Sequence, residues 1–331
     1  MISTDIAIDL GTSNVLIYIK KKGIVLNEPS IVAIEKDTKK VIAVGKEANE
    51  MLGRTPEKVE TIKPLKEGVI TNLEITEIML NEFIKKIKAK KLFTKPRILI
   101  CCPSNITSIE KEAIKEVAER TGAKKVYIEE ETKAASLGAG MSIEKPQANM
   151  IVDIGGGTTH IAVISLNGIV NSKSIKIAGE EFNKNIINYI KSKYKLLIGE
   201  LTSENIKINF ANVYKPNIKN KMEIKGRDLI TGLPKVIEIN QVEIKDALMP
   251  SIELIKDSIV ASLEITPPEL SADIVEKGIV LTGGGALLKG LIELIENKLA
   301  IPVLIAEYAM TCVVEGAGIL LDELKKLEEE P

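Results

Sequence analysis

The feature that most constrains the fold is a strand–turn–strand pattern that occurs twice along the chain. The first copy carries Asp9-Leu-Gly-Thr where an apolar strand ends, and the second carries Asp153-Ile-Gly-Gly-Gly-Thr-Thr. After each copy, strand and helix patterns alternate, which indicates an α/β fold. An internal duplication is the simplest explanation of this repeat. Since 331 residues are also long for a single hydrophobic core, we predict two related α/β lobes.

Both turns have the chemistry of a phosphate site. Glycine allows close approach of the backbone, so that N–H groups converge on phosphate oxygens. An Asp facing the same place can hold Mg²⁺, usually through water, because this ion gives up its hydration shell reluctantly. One such hairpin is most often only a turn, but two copies suit a clamp that grips a polyphosphate from both sides. A third glycine-rich turn, Gly283-Gly284-Gly285, precedes a predicted helix whose start would offer further N–H groups.

Several other classes of protein are excluded. The P-loop pattern is absent, and neither glycine triplet continues into the dinucleotide fingerprint. A formal net charge of −1 argues against a nucleic-acid partner, which needs a basic surface. The single histidine, His160, excludes a multi-histidine metal site. No Cys-x-x-Cys zinc pattern is present, and we expect Cys101, Cys102 and Cys312 to be buried free thiols in a reducing compartment.

Hydrophobic periodicity and capping residues predict the main elements. The predicted strands cover residues 6–10, 15–19, 97–102, 125–128, 150–154, 160–165, 278–281 and 303–305. The predicted helices cover residues 74–88, 134–140, 181–194, 202–209, 242–263 and 286–299, and one more begins at a Thr107/Glu110 capping box. Both halves therefore begin with a hairpin and continue with strands and helices.

Seven motifs resemble, in order and spacing, those of the MreB family of bacterial actins. They are Asp9-Leu-Gly-Thr-Ser-Asn14, Pro103-Ser-Asn-Ile-Thr107, Glu130-Glu131, Asp153-Ile-Gly-Gly-Gly-Thr-Thr159, Ala178-Gly-Glu-Glu181, Ile198-Gly-Glu-Leu-Thr202 and Leu281-Thr-Gly-Gly-Gly-Ala286. The resemblance covers nearly the whole chain. It implies the actin-like fold, in which two α/β lobes of duplicated ribonuclease H-like domains enclose a nucleotide cleft.

The same resemblance implies four subdomains. The larger subdomain of the first lobe, IA, would cover residues 1–31, 67–145 and 307–331, with a smaller insertion, IB, at residues 32–66. The second lobe would consist of IIA, at residues 146–179 and 246–306, and of the insertion IIB, at residues 180–245.

The resemblance further implies a site for ATP or ADP with Mg²⁺. Asp9 and Asp153 would orient the hydrated ion. Glu131 and Thr158 would be catalytic and would hold the water that attacks the γ-phosphate. The residues expected to contact the nucleotide are Gly11, Thr12, Ser13, Asn14, Gly155, Gly156, Gly157, Thr158, Gly179, Glu204, Lys207, Gly283, Gly284 and Gly285. The Glu204/Lys207 pair, three residues apart on one helix face, would face the ribose and adenine.

Three departures from the family pattern bear on catalysis. The family's Glu-Glu-Pro is replaced by Glu130-Glu131-Thr132, and Lys133 follows where an apolar residue is usual. Losing the fixed φ of proline would loosen the turn that aims Glu131. His160 stands where the family usually has Glu, although a histidine near the water is typical of eukaryotic actins. We expect a slow ATPase that is coupled to polymerisation.

A basic segment around Leu92 and Phe93 has two interpretations. Seven Lys and Arg residues lie between positions 85 and 97, so the apolar pair either belongs to a solvated helix end or contacts anionic lipid. The family uses such a loop on membranes, which favours lipid contact. No apolar run approaches the roughly 20 residues of a membrane span. We expect a cytoplasmic protein, peripheral at the inner face of the cell membrane.

Three functions follow from these patterns. The first is a cytoskeletal polymer, whose partners would be further copies of the chain in antiparallel paired protofilaments, an anionic membrane surface, and paralogous subunits or cell-shape proteins. Its role would be cell shape or motility. The second is a small-molecule kinase of the same superfamily, although no acceptor motif is recognisable. The third is a chaperone-like ATPase, although no peptide-binding domain follows the last helix.

Overall fold

The computed structural model describes residues 5–87, 96–103 and 106–329. The first lobe is built from the elements before residue 140. Its strands are β1 (Ile6–Leu10), β2 (Asn14–Ile19), β3 (Gly23–Pro29), β4 (Val32–Glu35), β5 (Val41–Val44), β6 (Val59–Ile62), β7 (Leu65–Lys66), β8 (Val69–Ile70), β9 (Arg97–Cys102) and β10 (Lys125–Glu130). Its helices are α1 (Lys46–Glu50), α2 (Leu73–Lys86), α3 (Ser108–Arg120) and α4 (Glu131–Gly138).

The second lobe follows along the chain, and a last helix returns to the first. The strands are β11 (Asn149–Ile154), β12 (Thr159–Ser165), β13 (Gly168–Ile175), β14 (Leu196–Leu197), β15 (Lys221–Asp228), β16 (Pro234–Asn240), β17 (Ile279–Thr282) and β18 (Val303–Ile305). The helices are α5 (Gly179–Tyr194), α6 (Glu200–Asn209), α7 (Gln241–Glu264), α8 (Pro268–Lys277), α9 (Leu291–Leu299) and α10 (Cys312–Glu329), with a 3₁₀ turn at Gly284–Leu287.

The central sheets of the two lobes have the same topology. Their strand orders are β10-β9-β1-β2-β3 and β13-β12-β11-β17-β18. Each sheet contains an antiparallel meander of three strands. The first strand of the meander, β1 or β11, also pairs with a parallel strand, and a second parallel strand follows at the edge of the sheet. The registers give the two aspartates equivalent places, since Asp9 lies opposite Cys101 on β9 and Asp153 lies opposite Thr282 on β17. The predicted duplication is therefore present in the fold.

Helices α4 and α10 join the lobes. Their small residues Ala134, Ala135 and Ala317 are fully buried. The apolar cluster around them also takes Leu99 from the first central sheet and Ile151 from the second. Because small side chains allow two helices to approach closely, this pair forms a shared core between the two sheets.

Most predicted elements lie within a few residues of their predicted bounds, and α3 begins as its capping residues indicate. Thr107 Oγ1 accepts a hydrogen bond from Glu110 N at 3.2 Å, and Glu110 Oε2 accepts one from Thr107 N at 2.7 Å. Sequence reasoning missed helix α8 and the outer strands β3 and β13. Cys101, Cys102 and Cys312 are buried free thiols, as expected.

The predicted continuous helix over residues 286–299 is wrong. The 3₁₀ turn ends at Leu287, and α9 begins only at Leu291. Between them Gly290 has a φ of 87°, in the left-handed region that disfavours other residues. A Cβ at this position would lie 2.7 Å from the backbone nitrogen of Tyr214. The break in the helix therefore lets the chain pack closely against the segment that follows α6.

The smaller sheets fall inside the two predicted insertions. The sheet β5-β4-β6 lies within residues 32–66, and the sheet β14-β15-β16 lies within residues 180–245. The division into four subdomains remains a prediction. None of the helices in the described ranges has the length and apolar character needed to cross a bilayer.

Candidate functional site

A cavity of about 340 Å³ lies between the two lobes. Its lining includes each residue predicted above to bind nucleotide or metal or to act in catalysis. From the first lobe these are Asp9, Gly11, Thr12, Ser13, Asn14 and Glu131, and from the second Asp153, Gly155, Gly156, Gly157, Thr158, Gly179, Glu204, Lys207, Gly283, Gly284 and Gly285. The structure thus brings together residues that are up to 276 positions apart between Asp9 and Gly285.

The two glycine-rich hairpins touch at the base of this cleft. A Cβ on Gly156 would collide with the side chain of Ser13, so only glycine fits at this point of the second hairpin. Gly155 N donates to Thr158 O at 2.9 Å and closes the turn. In the first hairpin, Ser30 Oγ donates to Gly11 O at 2.7 Å. The backbones of both turns are thereby fixed beside each other.

Asp9 and Asp153 face this cleft from equivalent positions. Withdrawal from bulk water, followed by repulsion from Asp153, raises the pKa of Asp9 to about 7. Burial raises the pKa of Asp153 to about 6, although Thr282 Oγ1, which donates to Asp153 Oδ1 at 2.8 Å, opposes the rise. Two carboxylates that repel each other in a partly desolvated cleft form a favourable place for a cation.

These carboxylates are not arranged as a cage of direct metal ligands. Within the described ranges, no group of three or more His, Cys, Asp or Glu side chains is placed to hold a metal ion. Mg²⁺ keeps several of its waters and is usually held by one or two carboxylates together with substrate phosphates. Asp9 and Asp153 fit such an ion, which they would hold through its water shell.

Glu131, Thr158 and His160 form a cluster at one end of the cleft. His160 Nε2 lies 2.9 Å from Thr158 Oγ1 and 3.4 Å from Glu131 Oε2. Burial first, and then the charges of Asp153 and Asp9, hold the pKa of Glu131 well above its usual value. Burial lowers the pKa of His160 to about 4, so its ring is neutral at pH 7. A carboxyl, a hydroxyl and an imidazole thus surround one position.

The expected turn before Glu131, the predicted catalytic residue, is absent. Strand β10 runs to Glu130, and Glu131 is the first residue of α4. Glu131 therefore lies in the first turn of the helix, and the expectation that a missing proline loosens its setting stays a prediction. Thr132 is buried at 1% exposure, and Lys133 Nζ pairs at 3.3 Å with Glu129, which lies near the end of strand β10. Both substituted residues belong to α4, whose first turn also contains Glu131.

The other end of the cleft holds a pair of charged side chains on α6. Lys207 Nζ donates to Glu204 Oε2 at 2.8 Å and to Gly179 O at 3.0 Å. Asn183 Nδ2 donates to the same Glu204 oxygen at 2.5 Å. The predicted adjacency of Glu204 and Lys207 on one helix face is confirmed, and α6 is tied to the start of α5.

Sequence reasoning missed ten further residues of this lining, most of which are apolar. The additional cleft residues are Leu16, Asn27, Glu180, Phe182, Ile208, Leu287, Leu288, Ala309, Met310 and Val313. Ile208 and Met310 are 66% and 51% exposed, so the cleft presents apolar surface to a ligand. No motif marks them, but Ile208 directly follows Lys207 on the predicted helix and could have been found by its position.

The third glycine-rich turn differs from its prediction. Gly284 and Gly285 start a 3₁₀ turn rather than an α-helix, so the expected positive end of a helix dipole is absent. Gly283 N is satisfied by Ala309 O at 2.7 Å. The backbone of this turn packs directly against Ile154, since a Cβ on Gly283 or Gly285 would collide with that residue. The predicted membrane residues Leu92 and Phe93 lie outside the described residues.

The raised carboxyl pKa values predict how the stability of the nucleotide-free protein depends on pH. Asp9 binds its proton more tightly in the folded state, so folding takes up a proton between pH 3.8 and about 7. His160 has the opposite effect, but only between about pH 4 and pH 6.5. From pH 6.5 to 7.5 we therefore expect the free energy of unfolding to fall, by at most about 1.4 kcal/mol per pH unit for one proton.

Urea unfolding at pH 6.5, 7.0 and 7.5 measures this slope. Asp9→Asn should make it shallower, because the variant lacks one titrating group, while Asp153 and Glu131, whose pKa values are also raised, keep the rest. A wild-type protein whose stability rises across this window would contradict the assignment.

Comparison with known sequences places these features in a family. The family model described as MreB/Mbl protein matches residues 3–329. The chain is 56% identical to the cell shape-determining protein Mbl of Bacillus subtilis over 327 residues, covering 99% of this chain and 98% of the relative. It is 46% identical to the cell shape-determining protein MreB of Escherichia coli K12, covering 97% and 94%.

Solved structures agree with the sequence relatives. MreB5 of Spiroplasma citri, 41% identical, superposes with a TM-score of 0.94 when bound to ADP and 0.95 when bound to AMPPNP, with at least 98% of each chain covered. The MamK double helical filament, at 22% identity and a TM-score of 0.82 over 99% of this chain and 100% of MamK, shows the same fold. The predicted actin-like fold is confirmed, and the chain belongs to the MreB/Mbl family of actin-like, cell shape-determining proteins.

Proposed function

We propose that this protein binds ATP with Mg²⁺ in the cleft and polymerises into cytoskeletal filaments. We further propose that it hydrolyses the bound ATP slowly, in a reaction coupled to assembly. The observation that carries the proposal is the meeting of two duplicated hairpins, with Asp9 and Asp153 facing one cavity and Gly156 seated on Ser13. Such a clamp closes on a ligand that has several phosphates. Filaments of paired antiparallel protofilaments, serving cell shape or motility, are part of the proposal.

The relatives support a nucleotide in this cleft. One relative at 41% identity has been solved with ADP and with AMPPNP, an ATP analogue. Both lobes contribute to the cavity, so nucleotide binding would favour one lobe angle over others. A hinge that responds in this way couples the bound nucleotide to the shape of the subunit.

The chemical step would take place at the Glu131, Thr158 and His160 cluster. The oxygen of a water molecule would bond to the γ-phosphorus while the bond from phosphorus to the β–γ bridging oxygen breaks. The proton released by the water would pass to the Glu131 carboxylate, which its raised pKa makes a stronger base. Thr158 would orient the water. Asp9 and Asp153 would hold Mg²⁺ through its water, and the bound ion would supply charge neutralisation to the phosphates.

Assembly and acceptor phosphorylation separate this proposal from its main alternative. We expect the protein to sediment as filaments with Mg²⁺ and ATP, and to release phosphate slowly once assembled. The alternative, a small-molecule kinase, would phosphorylate an added sugar or carboxylate acceptor without assembly. A protein that binds ATP but neither sediments nor scatters light at any concentration would rule out the polymer.

Attachment to the inner face of the cell membrane is proposed from the sequence of the basic segment. Burial of each apolar side chain contributes roughly 1.5–3 kcal/mol, and each nearby cation about 1 kcal/mol. One subunit would therefore bind reversibly, and a filament that presents many such segments would bind by multivalency.

The double variant Leu92→Ser, Phe93→Ser tests this attachment. We expect co-sedimentation of filaments with anionic liposomes to be lost while ATP-dependent assembly persists. Wild-type binding should weaken with added salt. Unchanged liposome binding by the variant would remove the proposed role of this segment. Paralogous subunits and other cell-shape proteins remain proposed partners, and no role for nucleic acid is proposed.

A further inference from the structure

Four polar side chains form a row across the second central sheet at the level of Asp153. Thr282 on β17 lies opposite Asp153, Asp153 lies opposite His160 on β12, and His160 lies opposite Ser174 on the edge strand β13. Residues directly opposite each other on neighbouring strands project from the same face. The four side chains are therefore neighbours along one line that leads to the cleft.

Each outer residue of this row, Thr282 or Ser174, is hydrogen-bonded to the inner residue next to it. Thr282 Oγ1 donates to Asp153 Oδ1 at 2.8 Å. At the other end, Ser174 Oγ lies within hydrogen-bond distance of His160 Nδ1. The equivalent row of the first sheet places Leu16 and Asn27 beside Asp9, so the imidazole and its serine belong to the second lobe alone.

The contacts of the His160 ring determine which nitrogen carries the proton. Its Nε2 faces Glu131 Oε2 at 3.4 Å and Thr158 Oγ1 at 2.9 Å. The base step proposed above requires an ionised Glu131, and an ionised carboxylate only accepts hydrogen bonds, so in that state Nε2 is the protonated nitrogen of the neutral ring. Nδ1 is then an acceptor, and the hydroxyl that reaches it is that of Ser174. His160 is 3% exposed, which leaves little access for water to replace this donor.

We propose that Ser174 is a positioning residue for ATP hydrolysis, whose hydroxyl donates to His160 Nδ1 and thereby keeps Nε2–H directed at Thr158 and Glu131. The inference rests on the proposed function, in which those two residues hold the attacking water. Without this donor the other tautomer becomes accessible, and its Nε2 lone pair would face the Glu131 carboxylate. The cluster would then lose the arrangement that orients Thr158.

The single histidine of the chain makes the tautomer directly measurable. In protein labelled with ¹⁵N-histidine, only one imidazole contributes signals. In the nucleotide-free wild type, on the alkaline side where Glu131 is ionised, we expect the proton on Nε2. Ser174→Ala should give a mixture of tautomers or the Nδ1–H form, and Ser174→Thr, which keeps the hydroxyl, should restore the wild-type signals. Ser172→Ala is the matched control, because Ser172 is exposed on the same strand and lies opposite Ala162.

Phosphate release connects the tautomer to the reaction. For Ser174→Ala we expect release from assembled protein to slow by about 2- to 10-fold, the factor that one neutral hydrogen bond is worth. ATP affinity should not change, and Ser174→Thr should recover the rate. A wild-type Nδ1–H tautomer, or a Ser174→Ala protein with unchanged signals and rate, would overturn the inference. If the wild type releases no phosphate, the proposed hydrolysis fails, whereas the tautomer comparison still decides whether Ser174 fixes His160.

Discussion

Replacing Glu131 by Ala is expected to slow phosphate release by roughly 10²- to 10⁴-fold, the usual contribution of a general base, while ATP binding and assembly persist. Glu131 is the carboxyl placed beside both Thr158 and His160. Its pKa is raised by burial and by Asp153 and Asp9, so removing it also relieves repulsion in the cleft. The variant should therefore be at least as stable as the wild type, and filaments should form and persist.

Two further variants separate proton acceptance from positioning. Glu131→Gln keeps the size and hydrogen-bonding capacity of the side chain but accepts no proton. We expect it to be as slow as Glu131→Ala. Glu130→Gln is the control, because this neighbouring acid stands at the N-cap position of α4 and does not belong to the described lining of the cleft. Phosphate release that is unchanged in Glu131→Ala would remove the proposed base, and a fully active Glu131→Gln would reduce its role to positioning.

The fold was predictable where local pattern and tertiary structure agree. The two hairpins and strand β9 are apolar because both faces are buried, and the Thr107/Glu110 capping box fixes the start of α3. The outer strand β13 alternates exposed polar and half-buried residues, so its pattern is weak. The break at Gly290 depends on the approach of Tyr214, 76 positions away in the sequence. Such a contact leaves no local signal.

The candidate site was predictable for a different reason. A single turn with an acid and glycines is common in proteins, but its occurrence at equivalent places in two related halves carries chemical information. The apolar side of the cleft consists of side chains such as Ile208 and Met310, which resemble any core residue in sequence. Ser174 was missed for the same reason, since a serine in a polar edge strand is ordinary until its cross-strand neighbour is known.

Replacing both cleft aspartates, as Asp9→Asn with Asp153→Asn, is expected to weaken Mg²⁺-dependent ATP binding by at least the 10- to 100-fold typical of an outer-shell partner of a metal. Asparagine preserves the size of the side chain, and at position 153 its oxygen can still accept the hydrogen bond from the Thr282 hydroxyl. The change removes two negative charges whose mutual repulsion raises the pKa of Asp9. Affinity is measured by titration with a fluorescent ATP analogue.

The same titration in EDTA gives the decisive contrast. Without metal, and above pH 7 where Asp9 and Asp153 are mostly ionised, ATP brings its negative charges into a cleft that is already negative, so the wild type should bind it poorly. The double variant presents fewer repelling charges and should bind metal-free ATP more tightly than the wild type. With Mg²⁺ we therefore expect the wild type to bind ATP more tightly than the double variant, and in EDTA we expect the double variant to bind it more tightly. A loss of affinity of equal size in both conditions would mean that the aspartates shape the cleft and do not hold the ion.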